Sequence, residues 1–153
     1  MQAAALLGVM VALAQPAPAP KPADKDTKRF GIELDRDGFP QTTPKDTLRS
    51  VLKAADAGRF DYLVAHLAEP SFVDQKVQES GGFDPFVAVV KEKWTTDPEN
   101  AKELRRFLAD GVWEQNGDAA SAKLGEGKSR QVFFKKIGNR WFLENRRKAE
   151  GQP

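Results

Sequence analysis

The sequence predicts an α+β domain in which N-terminal helices pack on a C-terminal antiparallel β-meander. Three observations carry this expectation. Between Thr43 and Asp110, apolar residues recur at helical spacing, punctuated by Pro44, Pro70, Pro85 and Pro98. Beyond Gly111 the period changes to two. Two turn pairs, Asn116-Gly117 and Gly138-Asn139, interrupt that alternation at hairpin spacing.

The elements follow in order. Ala3–Ala14 is an apolar stretch of signal-peptide length, too short to span a bilayer comfortably. Ala12 and Ala14 supply the small residues that a signal peptidase needs, although no Lys or Arg precedes the run. The reading is a signal peptide over 1–14 and a secreted or periplasmic protein with no transmembrane segment in its mature form. Its check is an intact mass beginning at Gln15; a native mass retaining Met1–Ala14 would overturn it. Residues 15–29, rich in alternating Pro and Ala, read as a disordered polyproline-type linker. The folded domain is expected over 30–148, with a disordered tail over 149–153.

Within the domain, Phe30–Leu34 reads as a short strand or an extended lead-in that packs Ile32 and Leu34. Glu33-Leu34-Asp35-Arg36-Asp37-Gly38 has oxygen ligands at positions 1, 3 and 5 and glycine at 6 as in a calcium loop, but Pro44 stands at position 12, where the bidentate Glu is needed, so a turn is the reading. Thr43-Pro44-Lys45-Asp46 opens the first helix as N-cap, first-turn proline and first-turn acid. Leu48, Val51, Leu52 and Ala55 form its apolar stripe, and Gly58 lies past its end. A second helix is expected from about Phe60 to Ala68, closed by Glu69-Pro70. Ser71–Val77 is ambiguous, with a short strand as one reading. A third helix is expected from Asp84 to about Trp94. A fourth opens at Thr96-Asp97-Pro98, with Ala101, Leu104, Phe107 and Leu108 on one face.

The strands then follow. With Asn116-Gly117 as loop residues, Trp113 faces Ala120. With Gly138-Asn139 as loop residues, Ile137 faces Arg140, Lys135 faces Phe142 and Phe134 faces Leu143. Val132, Phe134, Trp141 and Leu143 then share one continuous apolar face, the expected core side. Phe133, Lys135, Ile137, Arg140 and Phe142 share the other. That face mixes rings with charges, and it is the candidate binding surface, for a second copy or an envelope protein.

Composition excludes several chemistries. There is no cysteine, hence no disulfide or thiol chemistry, and a single histidine argues against a zinc site with the usual ligands. No phosphate-binding glycine motif is present, and no cofactor is expected. From Lys123 onward nine Lys/Arg stand against three Asp/Glu, although the whole chain carries only +2. That surplus fits a solvated strand edge, or a surface for anionic envelope polysaccharide or lipid head groups. The export signal and the near-neutral chain argue against nucleic acid. The weak catalytic candidates are Tyr62 and His66, four residues apart on the second helix and placed at the core's edge.

The stretch PKDTLRSVLKAADAGRFDYLVAHLAEP resembles the opening of nuclear transport factor 2-like (cystatin-like cone) domains. It ends its first helix in Ala-Gly-Arg-Phe and its second in Leu-Ala-Glu-Pro, and RWFLENR is similar to a closing cone strand. The resemblance spans about residues 43–146. It implies a curved sheet wrapping the helices, and no single activity, since such domains include enzymes and non-catalytic modules. The helix-rich middle, 84–110, departs from the pattern and predicts a pocket that is shallow or absent. The functional expectation is an exported non-enzymatic module binding a small ligand or a protein. The alternatives are an isomerase or hydro-lyase with Tyr62 and His66 in a cone pocket, and an anionic-surface binder using the basic hairpin.

Overall fold

A computed structural model of the chain describes residues 27–125 and 130–145. The signal segment 1–14 and the tail 149–153 lie outside the described residues, as does the linker up to residue 26. Helices come first and strands last, as the periodicities require. A small hairpin pairs β1 (Lys28–Arg29) with β2 (Ile32–Glu33). The helices are α1 (Pro44–Asp56), α2 (Phe60–Tyr62, running on as a π-helical turn Leu63–Leu67), α3 (Pro70–Glu79), α4 (Phe83–Thr96) and α5 (Pro98–Asp110). The strands β3 (Val112–Asn116), β4 (Ala119–Lys123), β5 (Gln131–Ile137) and β6 (Arg140–Glu144) form an antiparallel meander in sequence order. The fold class is the α+β arrangement the sequence predicts.

Local chemistry accounts for the element ends. Thr43 Oγ1 accepts the Asp46 N–H at 3.0 Å, and Pro44 begins α1. Ser71–Val77 is helical, which excludes the short-strand reading. Glu69-Pro70 closes one helix and opens the next. The Glu69 carboxylate accepts from the N–H groups of Ser71 and Phe72 at 3.1 and 2.8 Å, capping α3. The folded chain also begins earlier than residue 30. The Arg29 guanidinium donates to Asp74 at 2.5 Å and to the Pro70 carbonyl at 3.1 Å, tying β1 to α3. Phe30 turns the hairpin at φ 51°, a left-handed conformation unusual for a bulky residue, and stacks on Phe83 at 4.5 Å. Both contacts hold the α3–α4 pair from outside.

The β5–β6 register matches the expectation residue for residue, from Ile137 opposite Arg140 to Phe134 opposite Leu143. Gly138 supplies the positive φ (62°) at the first turn position. The first hairpin differs. Its loop is Gly117-Asp118, Asn116 pairs with Ala119, and Trp113 faces Ala122 rather than Ala120. Glycine takes the first loop position in both hairpins, leaving φ > 0 only where no Cβ objects. The shift is two residues, so Trp113 keeps its face.

The main core lies between the sheet and one side of the helix layer. Leu48 and Leu52 of α1 and Leu104 and Phe107 of α5 meet Ala120, Ala122, Val132, Phe134 and Trp141. The predicted core face of the second hairpin is therefore the core face. On the other side of α1, Val51, Ala54 and Ala55 pack with Phe39, Phe60, Tyr62, Leu63 and Leu67. The β6 edge is closed by irregular chain. Trp141 N–H donates to the Gln41 carbonyl at 3.0 Å, and Glu69 N–H donates to the Leu143 carbonyl at 2.9 Å.

Candidate functional site

Helices α3 and α4 are the least buried part of the helix layer. Val73 is the one buried side chain of α3, and Phe86 that of α4. The pair stands off from the sheet, and the gap is a cleft of about 870 Å3. Its floor takes Val51 from α1, Leu63 and Val64 from the π-helical turn, and Leu104 and Phe107 from α5. Val132 and Leu143 close it on the sheet side, and Val73, Phe86, Val90 and Trp94 form the opposing wall. Val64, Val73 and Phe86 meet in a small core cluster of their own, and the floor side chains are themselves buried. That volume lies in the range of sites for small molecules, about 300–1,000 Å3. The α3–α4 pair packs on the π-helical turn, α2 and α5 rather than on the sheet.

Polar groups sit on the lip. Lys76 and Glu79 of α3 are paired at 2.6 Å, and Gln75 donates to the same Glu79 at 2.8 Å. These two hydrogen bonds, Lys76 first, hold the Glu79 carboxyl below its usual range. Across the cleft, Arg130 pairs with Glu103 at 2.5 Å. A shallower depression of about 240 Å3 adjoins the cleft, sharing Phe72, Glu144 and Asn145 and adding Glu69, Ser71 and Lys135. Burial raises the Glu69 carboxyl. The Phe72 and Ser71 donors and the Lys135 charge outweigh it, so the net shift is downward and Glu69 stays an anionic cap.

Tyr62 and His66 are neighbours, with ring centroids 5.0 Å apart, but neither lines the cleft or the depression. His66 is not at the core's edge: it is 1% exposed, with Nε2 2.7 Å from the Ile32 carbonyl. A carbonyl only accepts, so Nε2 carries the proton. The Tyr62 hydroxyl accepts from Asp35 N–H and donates to the Asp35 carbonyl, each at 3.1 Å. Burial, chiefly, pushes its phenol above the ordinary value. The two side chains anchor the β2–α1 lead-in to the helix layer. Asp35 itself turns the chain, its Oδ1 accepting the Gly38 N–H at 2.8 Å. Among the described residues no group of three His, Asp or Glu is placed to hold a metal ion, and no helix is long and apolar enough to cross a membrane.

The outer face of the second hairpin does not present its five candidates together. Phe142 is 5% exposed, and the Arg140 guanidinium lies over its ring, 4.8 Å from the centroid. Arg140 also donates to Gln41 Oε1 and to the His66 carbonyl, which draws it inward. Phe133 is half-buried and reaches the cleft, and Lys135 lines the depression. Ile137 remains exposed near the turn. Phe142 is therefore not the accessible centre of a docking patch, because β6 is wrapped by the Gln41 and Glu69 segments on that edge.

The residues that line the cleft were legible only as core candidates. One local signal points to more. Phe86–Val90 is apolar on all sides of α4, wider than a single core-facing stripe requires, and Val89 is left 39% exposed at the cleft. Comparison of the chain with family models, with curated proteins and with solved structures returned no match.

Proposed function

We propose that this chain is an exported, non-catalytic module that holds a small apolar or amphipathic ligand in the cleft between the α3–α4 hairpin and the sheet. The observation that carries the reading is the cleft itself, about 870 Å3 and floored by Val51, Val64, Leu104, Phe107 and Val132. Beside them Val89 is exposed and Phe72, Val90 and Trp94 are half-buried, and this apolar surface is what an apolar occupant would remove from water. The succession of helices and a closing meander supports reading the chain as a nuclear transport factor 2-like domain with a helix-rich middle. The isomerase or hydro-lyase alternative needs Tyr62 and His66 in a pocket, and both are engaged elsewhere as structural donors and acceptors.

The uncharged dye Nile red tests the reading by titration followed in fluorescence and calorimetry. Saturable binding at one site per chain is expected. Val89→Trp places bulk at the cleft from an already exposed position and weakens binding by about tenfold, or 1.4 kcal/mol, with the unfolding midpoint checked alongside. Non-saturable partitioning, or binding untouched by the substitution, would overturn the assignment of the cleft.

A further inference from the structure

We infer that the β1–β2 hairpin is a releasable latch on the α3–α4 wall, and that letting go of the wall is how the cleft admits its ligand. The latch stands by itself; its role in ligand entry rests on the ligand-binding reading above. Three observations lead to it.

The first is the turn of the hairpin. Phe30 and Gly31 are its two loop residues, between paired Arg29 and Ile32, and both have positive φ, 51° and 79°. A two-residue loop with positive φ at both positions favours Asn-Gly, because Asn tolerates the left-handed region and glycine has no Cβ. Gly31 fits that rule. Phe30 does not, so its bulky side chain is held against its own backbone preference. What holds it is Phe83 at the start of α4, on which the ring stacks at 4.5 Å with the planes 11° apart. The turn thus carries a residue that suits the wall and not the turn.

The second is the contrast between the two attachments of the hairpin. On the body side, His66 Nε2 lies 2.7 Å from the Ile32 carbonyl and the Tyr62 hydroxyl bonds the Asp35 backbone, and both of these rings are 1% exposed. On the wall side, Arg29 donates to the Pro70 carbonyl and to Asp74, whose side chain is 54% exposed. Ion pairs this exposed contribute little to stability. Among the described residues Arg29 Nε is buried with no hydrogen-bond partner, so gripping the wall withdraws a donor from water without compensation. A buried anchor at one end and a weak grip at the other make a strap that releases the wall before it leaves the body.

The third is the wall itself. α3 and α4 bury one side chain each, Val73 and Phe86, in a small cluster with Val64. Segments with so few buried contacts open locally at lower free energy than a core does. Both ends of the pair are fixed. Glu69 N–H is bonded to the Leu143 carbonyl, and α5 buries Ala101, Leu104 and Phe107. The chain leaves helical geometry at Glu69 (ψ 125°) and at Asp97 (ψ 77°), which places a hinge at each junction. Val73 and Lys76 line the cleft and Asp74 does not, so the latch holds α3 without occupying the site.

Native-state hydrogen exchange of the full chain, read by mass spectrometry, tests the latch. Phe30→Asn installs the residue that the turn favours and removes the ring. Asp74→Ala removes the acceptor of Arg29 at an exposed position. In the double variant the amides of α3 and α4 are expected to exchange at least about tenfold faster, with those of α1 and β4–β6 unchanged. Association of Nile red in stopped-flow mixing is expected to be several-fold faster. Unchanged exchange in α3 and α4 overturns the latch. So does a rise shared equally by α1 and the sheet, which would mean that these contacts support the whole fold. Faster exchange with an unchanged association rate overturns the role in ligand entry and leaves the latch standing. Failure of Nile red to bind the wild type overturns the ligand-binding reading and ligand entry with it, and the exchange rates then decide the latch alone.

Discussion

Trp141→Ala is expected to cost about 3–5 kcal/mol of folding stability, read as a shift in the chemical-denaturation midpoint at unchanged slope. The ring is 2% exposed and lies in the sheet–helix core with Leu48, Leu52, Leu104, Phe107 and Phe134. Those partners come from α1, α5 and β5, so no single element can shift to refill the space, and a cavity remains. The Trp141 backbone adds to the constraint. Its carbonyl accepts from Gln41 Nε2 at 2.7 Å and from Thr47 Oγ1 at 3.1 Å, which pins β6 against the start of α1. A loss below about 1 kcal/mol would mean that Trp141 does not face this core.

Gln41→Leu comes next, at about 2–4 kcal/mol. Gln41 is buried, and both polar atoms of its side chain and its carbonyl are engaged. Its amide nitrogen donates to the carbonyls of His66 and Trp141, and its Oε1 receives two donors of the Arg140 guanidinium. Its own carbonyl receives the Trp141 N–H. The leucine keeps the last of these and loses the others. Hydrogen bonds to charged groups contribute about 1.5–3 kcal/mol, and Arg140 is left with less than its full set of acceptors. A glutamate at the same position keeps the acceptor for Arg140 but removes the donor to two carbonyls, so Gln41→Glu should fall between wild type and Gln41→Leu. Equal stability for all three would show that these bonds are exchanged for water without cost.

Both substitutions bear on how much of this protein is legible before folding. Trp141 could be placed by parity, because Gly138 sets a two-residue loop and side chains alternate from there. The same parity put Phe142 on the outer face, correctly, and still misjudged its exposure. Alternation assigns a face, whereas burial depends on what else crosses that face. Here Arg140 is drawn over Phe142 while bonded to Gln41, ninety-nine positions away in the chain. Gln41 had no local signal at all: a single glutamine between Pro40 and Thr42 looks like any loop residue.

Legible in the chain before folding were the α+β order, the N-cap at Thr43, the helix start at Thr96-Asp97-Pro98, the β5–β6 register and the core face of that hairpin. Each of these depends on residues within a turn or two of one another, where sterics and hydrogen-bond geometry act without reference to the rest of the chain. Tertiary structure alone decided three things: that Tyr62 and His66 brace the lead-in instead of lining a pocket, that Phe142 is covered, and that a cleft opens beneath α3 and α4. The apolar residues around that cleft have the same character as those in the core. Whether such side chains meet each other or leave room for a ligand is set by where two helices stand relative to a sheet, and no local pattern encodes that distance.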